Sequence, residues 1–383
     1  MEYIPEKKNK SIFKTYLIYF VSLVVFALIK SIPSDVFAGL KDVVGLEAAN
    51  NIIEIGFTLL IQVGCLFLLP LTLYCILLRQ KPKQVFRTCN YYKMNFKLVL
   101  YSVLLGICLY FLTIIMSRFF NGILFLFGYS GGSSGSSEFP LSSYLIQIVT
   151  VAILPALCEE FIHRGLLLQG TKHESFGKAI IISSVLFGLI HLSIVQVFYA
   201  IILGIIMGYV AVITKNIWPA VIVHFMNNFL SITSSYFLSF ENGYSVFMNN
   251  LSDKLTNINF IVIVLVIILG MILLFGAIYL LLNRLYFNSI VKKVENAILK
   301  AYDNSGLAKS DQPIYLDSTN VKYLVENTTT LNLDFNTLKN PFMMMMPKQN
   351  ERYKTTFRDK IFLRSSLFLG IMITIFTLVW GFM

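Results

Sequence analysis

Long apolar segments separated by short polar ones dominate the chain. A helix needs about 20 apolar residues to cross a bilayer, and the segments that predict such helices are 13–32, 53–78, 98–117, 141–169, 177–192, 195–213, 216–237, 258–283 and 361–382. The eighth is apolar on every side, so we expect it to face mostly lipid. The pattern therefore predicts an all-α fold, a polytopic transmembrane helical bundle of about eight or nine spans.

The composition favours a membrane protein over a soluble one. Of the 383 residues, 56% are hydrophobic and only 13% are charged, whereas a soluble domain is about 25% charged. The net charge of +11 would point to nucleic acid in a soluble protein. Here the basic residues follow the loops instead. With the N-terminus inside, all 31 Lys and Arg residues except Lys30, Lys41, Arg118 and Lys254 fall in cytoplasmic segments or at their ends. We expect a multi-pass protein of the cell membrane, with a cytoplasmic N-terminus, the lipid bilayer as a partner and no nucleic-acid partner.

Polar stretches divide the chain into five predicted parts. These are the first three spans with a Gly/Ser linker at 131–137 (1–140), a core of spans four to seven (141–237), the eighth span (238–284), a cytoplasmic polar segment (285–360) and the last span (361–383). The five cysteines show no paired spacing, so neither a disulfide framework nor a Cys-based zinc motif is expected. Cys158 is either a nucleophile beside the neighbouring carboxylates or a small apolar helix residue.

Charged and polar residues interrupt three of the predicted spans. The fourth contains Glu159, Glu160 and Arg164, and a charge near the bilayer centre costs at least ~2.5–3.5 kcal/mol. The fifth ends at His191, and the seventh contains His224 and Asn228. Such residues indicate a functional site, although single ones also serve as hydrogen bonds between helices, and Arg164 could instead lie at the membrane interface. His163 shares a face with Glu159 or is interfacial, and His173 is expected in a loop.

Helical spacing predicts how these residues meet. Residues four apart share a face, so Glu160 can pair with Arg164, and His224 lies on the face of Asn228. Glu159 is about 100° away from Glu160 around the axis and can face a cavity. Glu159 and His191 are equidistant from residue 175, which would bring them level. His224 lies roughly 13 Å from Lys215 along its helix. We therefore expect a polar catalytic cluster inside the bundle, reached from the cytoplasmic side.

Three motifs on consecutive spans resemble those of the CPBP family, which comprises type II CAAX prenyl proteases and the bacteriocin-processing or immunity proteins called Abi. They are Glu159-Glu160-x-x-x-Arg164, Phe187-x-x-x-His191 and His224-x-x-x-Asn228. The resemblance covers about 141–237 and implies an intramembrane endopeptidase that cuts a peptide or protein substrate. Residue by residue, it implies that Glu159 is the general base, His191 helps to hold the attacking water, His224 and Asn228 stabilise the oxyanion, and Glu160 and Arg164 form a supporting pair.

Several alternatives remain open at this stage. His191, His224 and one Glu would make a plausible zinc triad with an open position for water; the resemblance implies a metal-free, glutamate-type enzyme, so no cofactor is expected. The buried carboxylates and histidines could also form an ion pathway in a transporter. A non-catalytic partner, such as a bacteriocin self-immunity protein, is a further possibility.

Overall fold

The computed structural model describes residues 5–32, 36, 42–129, 140–171, 176–256, 260–291 and 360–380. The predicted linker at 131–137, His173 and most of the polar segment 285–360 lie outside these ranges. Within them every regular element is helical, as the sequence predicts. The elements are α1 (Pro5–Lys30), α2 (Ala48–Leu78), α3 (Pro82–Thr88), α4 (Phe96–Leu126), α5 (Leu141–Thr171), α6 (Phe176–Leu189), α7 (Ile194–Thr214), α8 (Trp218–Leu238), α9 (Gly243–Thr256), α10 (Phe260–Tyr286) and α11 (Ile361–Trp380).

Seven helices in the described part of the chain are long and apolar enough to cross a membrane, namely α1, α2, α4, α5, α7, α10 and α11. The fifth predicted span is α6, whose 14 residues measure about 21 Å and fall short of a ~30 Å hydrocarbon core. The seventh is α8, which has 21 residues but carries a His and two Asn residues that dilute its apolar character. The apolar stretch after residue 117 is the end of α4.

Two of the long helices change pitch where polar residues occur. Leu59–Leu68 in α2 is π-helical, as are Ile148–Ile153 and Phe161–Leu167 in α5. Wider helical turns of this kind are frequent at functional sites because they re-aim side chains within a continuous helix. The two π-helical stretches of α5 flank Leu154–Glu160, which carries both carboxylates.

Contacts between helix termini define the two ends of the bundle. At one, here called the Asn90 end, Ile217 N–H donates to the Asn90 carbonyl (3.2 Å), and Asn216 Nδ2 donates to the Tyr92 carbonyl (3.0 Å). At the opposite end, here called the His191 end, Lys30 Nζ donates to the His191 carbonyl (3.3 Å). The long helices run between these two ends, so the position of a residue along its helix gives its approximate depth.

Helices α6 and α7 form a tight hairpin because glycines let their backbones approach. A Cβ built on Gly188 would lie 2.4 Å from Ile201 Cγ1, and one on Gly204 would lie 3.1 Å from Ser184 Cα. Real Cβ atoms essentially never approach within 3.0 Å. The close fit sets the position of Phe187 and His191 at the end of α6.

Candidate functional site

A buried ion pair lies at the centre of the polar cluster. Arg164 Nη1 donates to Glu160 Oε1 at 2.9 Å, and both side chains are 0% exposed. Arg164 Nη2 also donates to the Gly204 carbonyl of α7 at 2.9 Å. The pair expected from the spacing of four residues is therefore present. The alternative that Arg164 lies at the membrane interface is wrong, because α7 covers the guanidinium.

The third helix of the cluster joins through the same carboxylate. His224 Nδ1 lies 3.0 Å from Glu160 Oε1. Because an ionised carboxylate only accepts hydrogen bonds, Nδ1–H must be the donor, which leaves Nε2 for another partner. Glu160 thereby connects α5 to α8 and fixes the imidazole.

The Phe187 ring lies between the charged and imidazole groups. Its centroid is 5.2 Å from that of His163, 5.3 Å from His191 and 5.5 Å from His224, with each pair close to perpendicular. Arg164 Cζ lies 4.5 Å from the same centroid. The ring is 1% exposed. Phe187 thus holds three histidines apart while its face offers Arg164 a cation–π contact.

His163 is fully buried, so the expectation that it might be interfacial is wrong. Its Nδ1 lies 2.7 Å from the Glu159 carbonyl and must donate to it, and its Nε2 lies 3.2 Å from the Tyr19 hydroxyl of α1. The Tyr19 hydroxyl is also 3.1 Å from the Leu186 carbonyl. The imidazole therefore connects the backbone beside Glu159 to α1 and α6.

Glu159 faces away from this group and towards α2. Gln62 Nε2 donates to Glu159 Oε1 at 2.8 Å, and the two residues are only 8% exposed each. Sequence reasoning missed Gln62 and Tyr19. The available signal for Gln62 was a lone amide within the apolar run Leu59–Leu68, where an unpaired polar group is costly.

Glu159 and His191 line one cavity of about 200 Å³, as their equal distance from residue 175 predicts. His191 Nδ1 lies 2.9 Å from the Phe187 carbonyl and must donate to it, so Nε2 of the neutral ring is an acceptor. The remaining wall is formed by Phe26, Lys30, Phe57, Thr58, Ile61, Gln62, Thr150, Ile190 and Gln196.

The described residues that line the cavity lie towards the His191 end, whereas the sequence predicts access from the turns near 175 and 215. Lys30 is the last residue of α1, and Gln196 is in the first turn of α7. Thr58 and Thr150 lie in the halves of α2 and α5 nearest the same end. This lining favours access from the His191 end.

Asn228 is not among the residues that line this cavity. Its Nδ2 donates to the Val151 carbonyl of α5 at 2.8 Å. Pro155, four residues further along, has no N–H to give that carbonyl. One N–H of the amide therefore satisfies a backbone group that the proline leaves without its usual helical partner, and the other remains available.

In the comparison with protein-family models, residues 141–230 match the model described as type II CAAX prenyl endopeptidase Rce1-like. These residues form an Rce1-like domain. The CPBP resemblance is thereby confirmed for this domain, whose family implies a CAAX-type intramembrane protease. The seven membrane-length helices of the described ranges suggest a multi-pass membrane protein. No curated protein and no solved structure matches the chain.

The cluster extends beyond the Rce1-like domain. Glu159, Glu160, Arg164, His191 and His224 lie within residues 141–230, together with Asn228. The groups that contact them from α1 and α2 lie outside, namely Tyr19, Lys30 and Gln62. The N-terminal helices thus complete the wall of the cavity.

A zinc site of the proposed kind does not fit the Rce1-like domain as it is folded here. In the described ranges, no three His, Cys, Asp or Glu side chains are grouped so that they could hold a metal ion. His224 lies against Glu160 rather than in the wall of the Glu159 cavity, and the Phe187 ring lies between its imidazole and that of His191. Cys158 packs in an apolar cluster with Ile162 and Leu66 and is not part of that wall.

Proposed function

We propose that the protein is an intramembrane endopeptidase that hydrolyses a peptide bond of a membrane-associated peptide or protein with a water activated by Glu159. One observation carries the proposal: of two adjacent buried carboxylates, Glu160 is held by Arg164 and His224, whereas Glu159 lines the cavity with His191. Glu159 Oε2 accepts no hydrogen bond from the described protein groups. Glu160 Oε2 also accepts none from these groups, but Glu160 does not line the cavity, so Glu159 is the carboxylate that we propose binds a water there.

The proposed step uses Glu159 as a general base. Oε2 takes a proton from the water, and the water oxygen forms a bond to the substrate carbonyl carbon, whose oxygen becomes an oxyanion. As the intermediate collapses, the C–N bond breaks and Glu159 returns the proton to the departing amine. His191 Nε2, an acceptor in the neutral ring, holds the second hydrogen of the water.

The oxyanion needs hydrogen-bond donors, and removing one such donor costs about 2.7–4 kcal/mol of transition-state stabilisation in a well-studied case. We propose His224 Nε2–H and the second N–H of Asn228 for this role. Neither side chain lines the Glu159 cavity, so the bound substrate carbonyl must extend from that cavity towards α8. Because Glu160 Oε1 accepts from Nδ1, His224 Nε2 is the ring nitrogen that can face the substrate oxygen.

A glutamate mechanism is the better supported one for this arrangement. A zinc site would require His191, His224 and a carboxylate to converge, but the Phe187 ring lies between the two imidazoles, and His224 is not in the wall of the cavity that Glu159 and His191 line. Glu159 is bound through one oxygen by an amide, a partner that orients a carboxylate base without bringing a second charge.

The side from which the substrate enters follows from the charge pattern and the cavity. We propose that the N-terminus is cytoplasmic, because this choice puts nearly all basic residues inside. The His191 end then lies at the outer face, and the substrate presents a segment near that face. The catalytic core is proposed to span 141–237, with α1 and α2 closing it.

Comparative peptidomics of cells that carry the wild type or Glu159→Gln tests the proposal and finds the substrate at the same time. We expect peptides that depend on the wild type to disappear in Glu159→Gln and to remain in Glu241→Gln, a matched change at an exposed carboxylate. Identical peptide profiles for all three would contradict proteolysis and favour a non-catalytic immunity protein or a transporter.

A further inference from the structure

Among the described residues, Gln62 donates a hydrogen bond to the Glu159 carboxylate from outside the Rce1-like domain. Its Nε2 lies 2.8 Å from Glu159 Oε1, and the residue is only 8% exposed. The amide must present its nitrogen there, since its oxygen would face another acceptor. The contact thus fixes which carboxylate oxygen is engaged and how the carboxylate is oriented.

The oxygen of the same amide lacks a hydrogen-bond donor among the described residues. Gln62 Oε1 and Glu159 Oε2 are both buried, and neither accepts a hydrogen bond from a described protein group. A buried acceptor without a donor costs about 1–3 kcal/mol. Both residues line the cavity of about 200 Å³, but these two oxygen atoms are themselves closed off from a water-sized probe. The hydrogen bond from Gln62 Nε2 is therefore the contact that the described groups offer the Glu159 carboxylate.

We propose that Gln62 is a positioning residue of the protease, which holds the Glu159 carboxylate through its N–H group and so sets the orientation of the general base. The inference rests on the proposed function and extends it to α2. Gln62 itself forms and breaks no covalent bond. The π-helical turn at Leu59–Leu68 provides the geometry, because it directs a polar side chain from an otherwise apolar helix towards α5.

The first test needs no substrate. We suggest infrared difference spectroscopy on the reconstituted full-length protein, in which Glu159→Gln identifies the carboxylate band of Glu159. That band should shift in Gln62→Met and stay in place in Gln147→Met, a change on α5 that leaves the cavity wall intact. An unchanged band in Gln62→Met would overturn the inference.

The second test separates a positioning role from a merely structural one. The probe is a reporter peptide that spans a cleavage site lost in Glu159→Gln cells. With it, Gln62→Met should lower kcat about 10²-fold, the cost of a misplaced reacting group, with little change in KM. If Gln62→Met does not fold, Gln62→Asn keeps the amide but is too short to reach Glu159, and the same loss is expected.

The two proposals fail in different ways. Full activity of Glu159→Gln would contradict the proposed function, because Glu159 would then not be the general base. If Glu159→Gln is inactive but Gln62→Met or Gln62→Asn has a normal kcat, only the proposed role of Gln62 is contradicted.

Discussion

Glu160 Oε1 lies 3.0 Å from His224 Nδ1, although the two residues are 64 positions apart and belong to different helices. The same oxygen lies 2.9 Å from Arg164 Nη1. One carboxylate oxygen therefore holds a guanidinium of its own helix and an imidazole of α8. Glu160, Arg164 and His224 therefore form one hydrogen-bonded unit, and a substitution of one residue should alter the position of the other two.

The first prediction concerns the stability of this unit. Arg164→Met removes one partner of a fully buried ion pair and leaves Glu160 uncompensated, so the free energy of unfolding should fall by about 3–5 kcal/mol. Titration with a denaturing detergent in mixed micelles measures it. The matched change Arg284→Met, at an exposed arginine, should stay within about 0.5 kcal/mol. Equal effects of the two substitutions would contradict a central role for the pair.

A second prediction tests the close approach of α6 and α7. The methyl group of Gly188→Ala would meet Ile201 Cγ1 at 2.4 Å and the Val197 carbonyl oxygen at 3.0 Å. Overpacking of this kind costs about 1–3 kcal/mol, and it should also impair activity because His191 follows closely on α6. Gly270→Ala in α10 has nothing within 4 Å and should be neutral or slightly stabilising. A stable, fully active Gly188→Ala would show that the hairpin can open without affecting the site.

The open side of the cavity gives a third prediction, which does not depend on the orientation in the membrane. In a variant without the five native cysteines, Gln196→Cys should react with an impermeant thiol reagent from the same face as Glu241→Cys, beyond the end of α8. It should not react from the face that labels Lys83→Cys, on α3 beside the Asn90 end. If Gln196→Cys reacts only from the face that labels Lys83→Cys, the cavity is reached from the side of the turns near 175 and 215 instead.

The fourth prediction separates the glutamate and metal mechanisms. Purified protein that has been treated exhaustively with a strong chelator should retain its turnover of the reporter peptide, because Glu159 needs no metal ion to accept a proton from water. The control is to add stoichiometric Zn²⁺ back to the chelator-treated protein. If activity is lost and stoichiometric Zn²⁺ restores it, the protein is a metalloprotease, and the described side chains must rearrange to bind the ion.

The sequence predicted those parts of the site that depend on a single helix or hairpin. The spacing of four residues fixes the Glu160–Arg164 pair, and the equal distance of Glu159 and His191 from residue 175 predicts that they lie level, as their place in one cavity confirms. Hydropathy alone likewise indicated the helical bundle. These relationships are local, so helical geometry determines them before any packing is known.

The parts that escaped prediction depend on packing between distant segments. Gln62 and Tyr19 reach the cluster from α1 and α2, whose arrangement around α5 has no signature in the motifs. The lining of the cavity towards the His191 end was not predicted for the same reason. The hydrogen bond of Asn228 escaped prediction for a different reason. Its acceptor, the Val151 carbonyl, lies on α5 four residues before Pro155, and nothing in the sequence around Asn228 indicates that partner.

Turnover by purified Glu159→Gln is the most direct test of the central claim. The substitution keeps the size of the side chain and removes only its ability to take a proton from water. In reconstituted membranes with the reporter peptide, kcat should fall about 10²–10⁴-fold, the range that general base catalysis contributes, while the protein keeps its fold. Near-normal turnover by this variant would contradict the account.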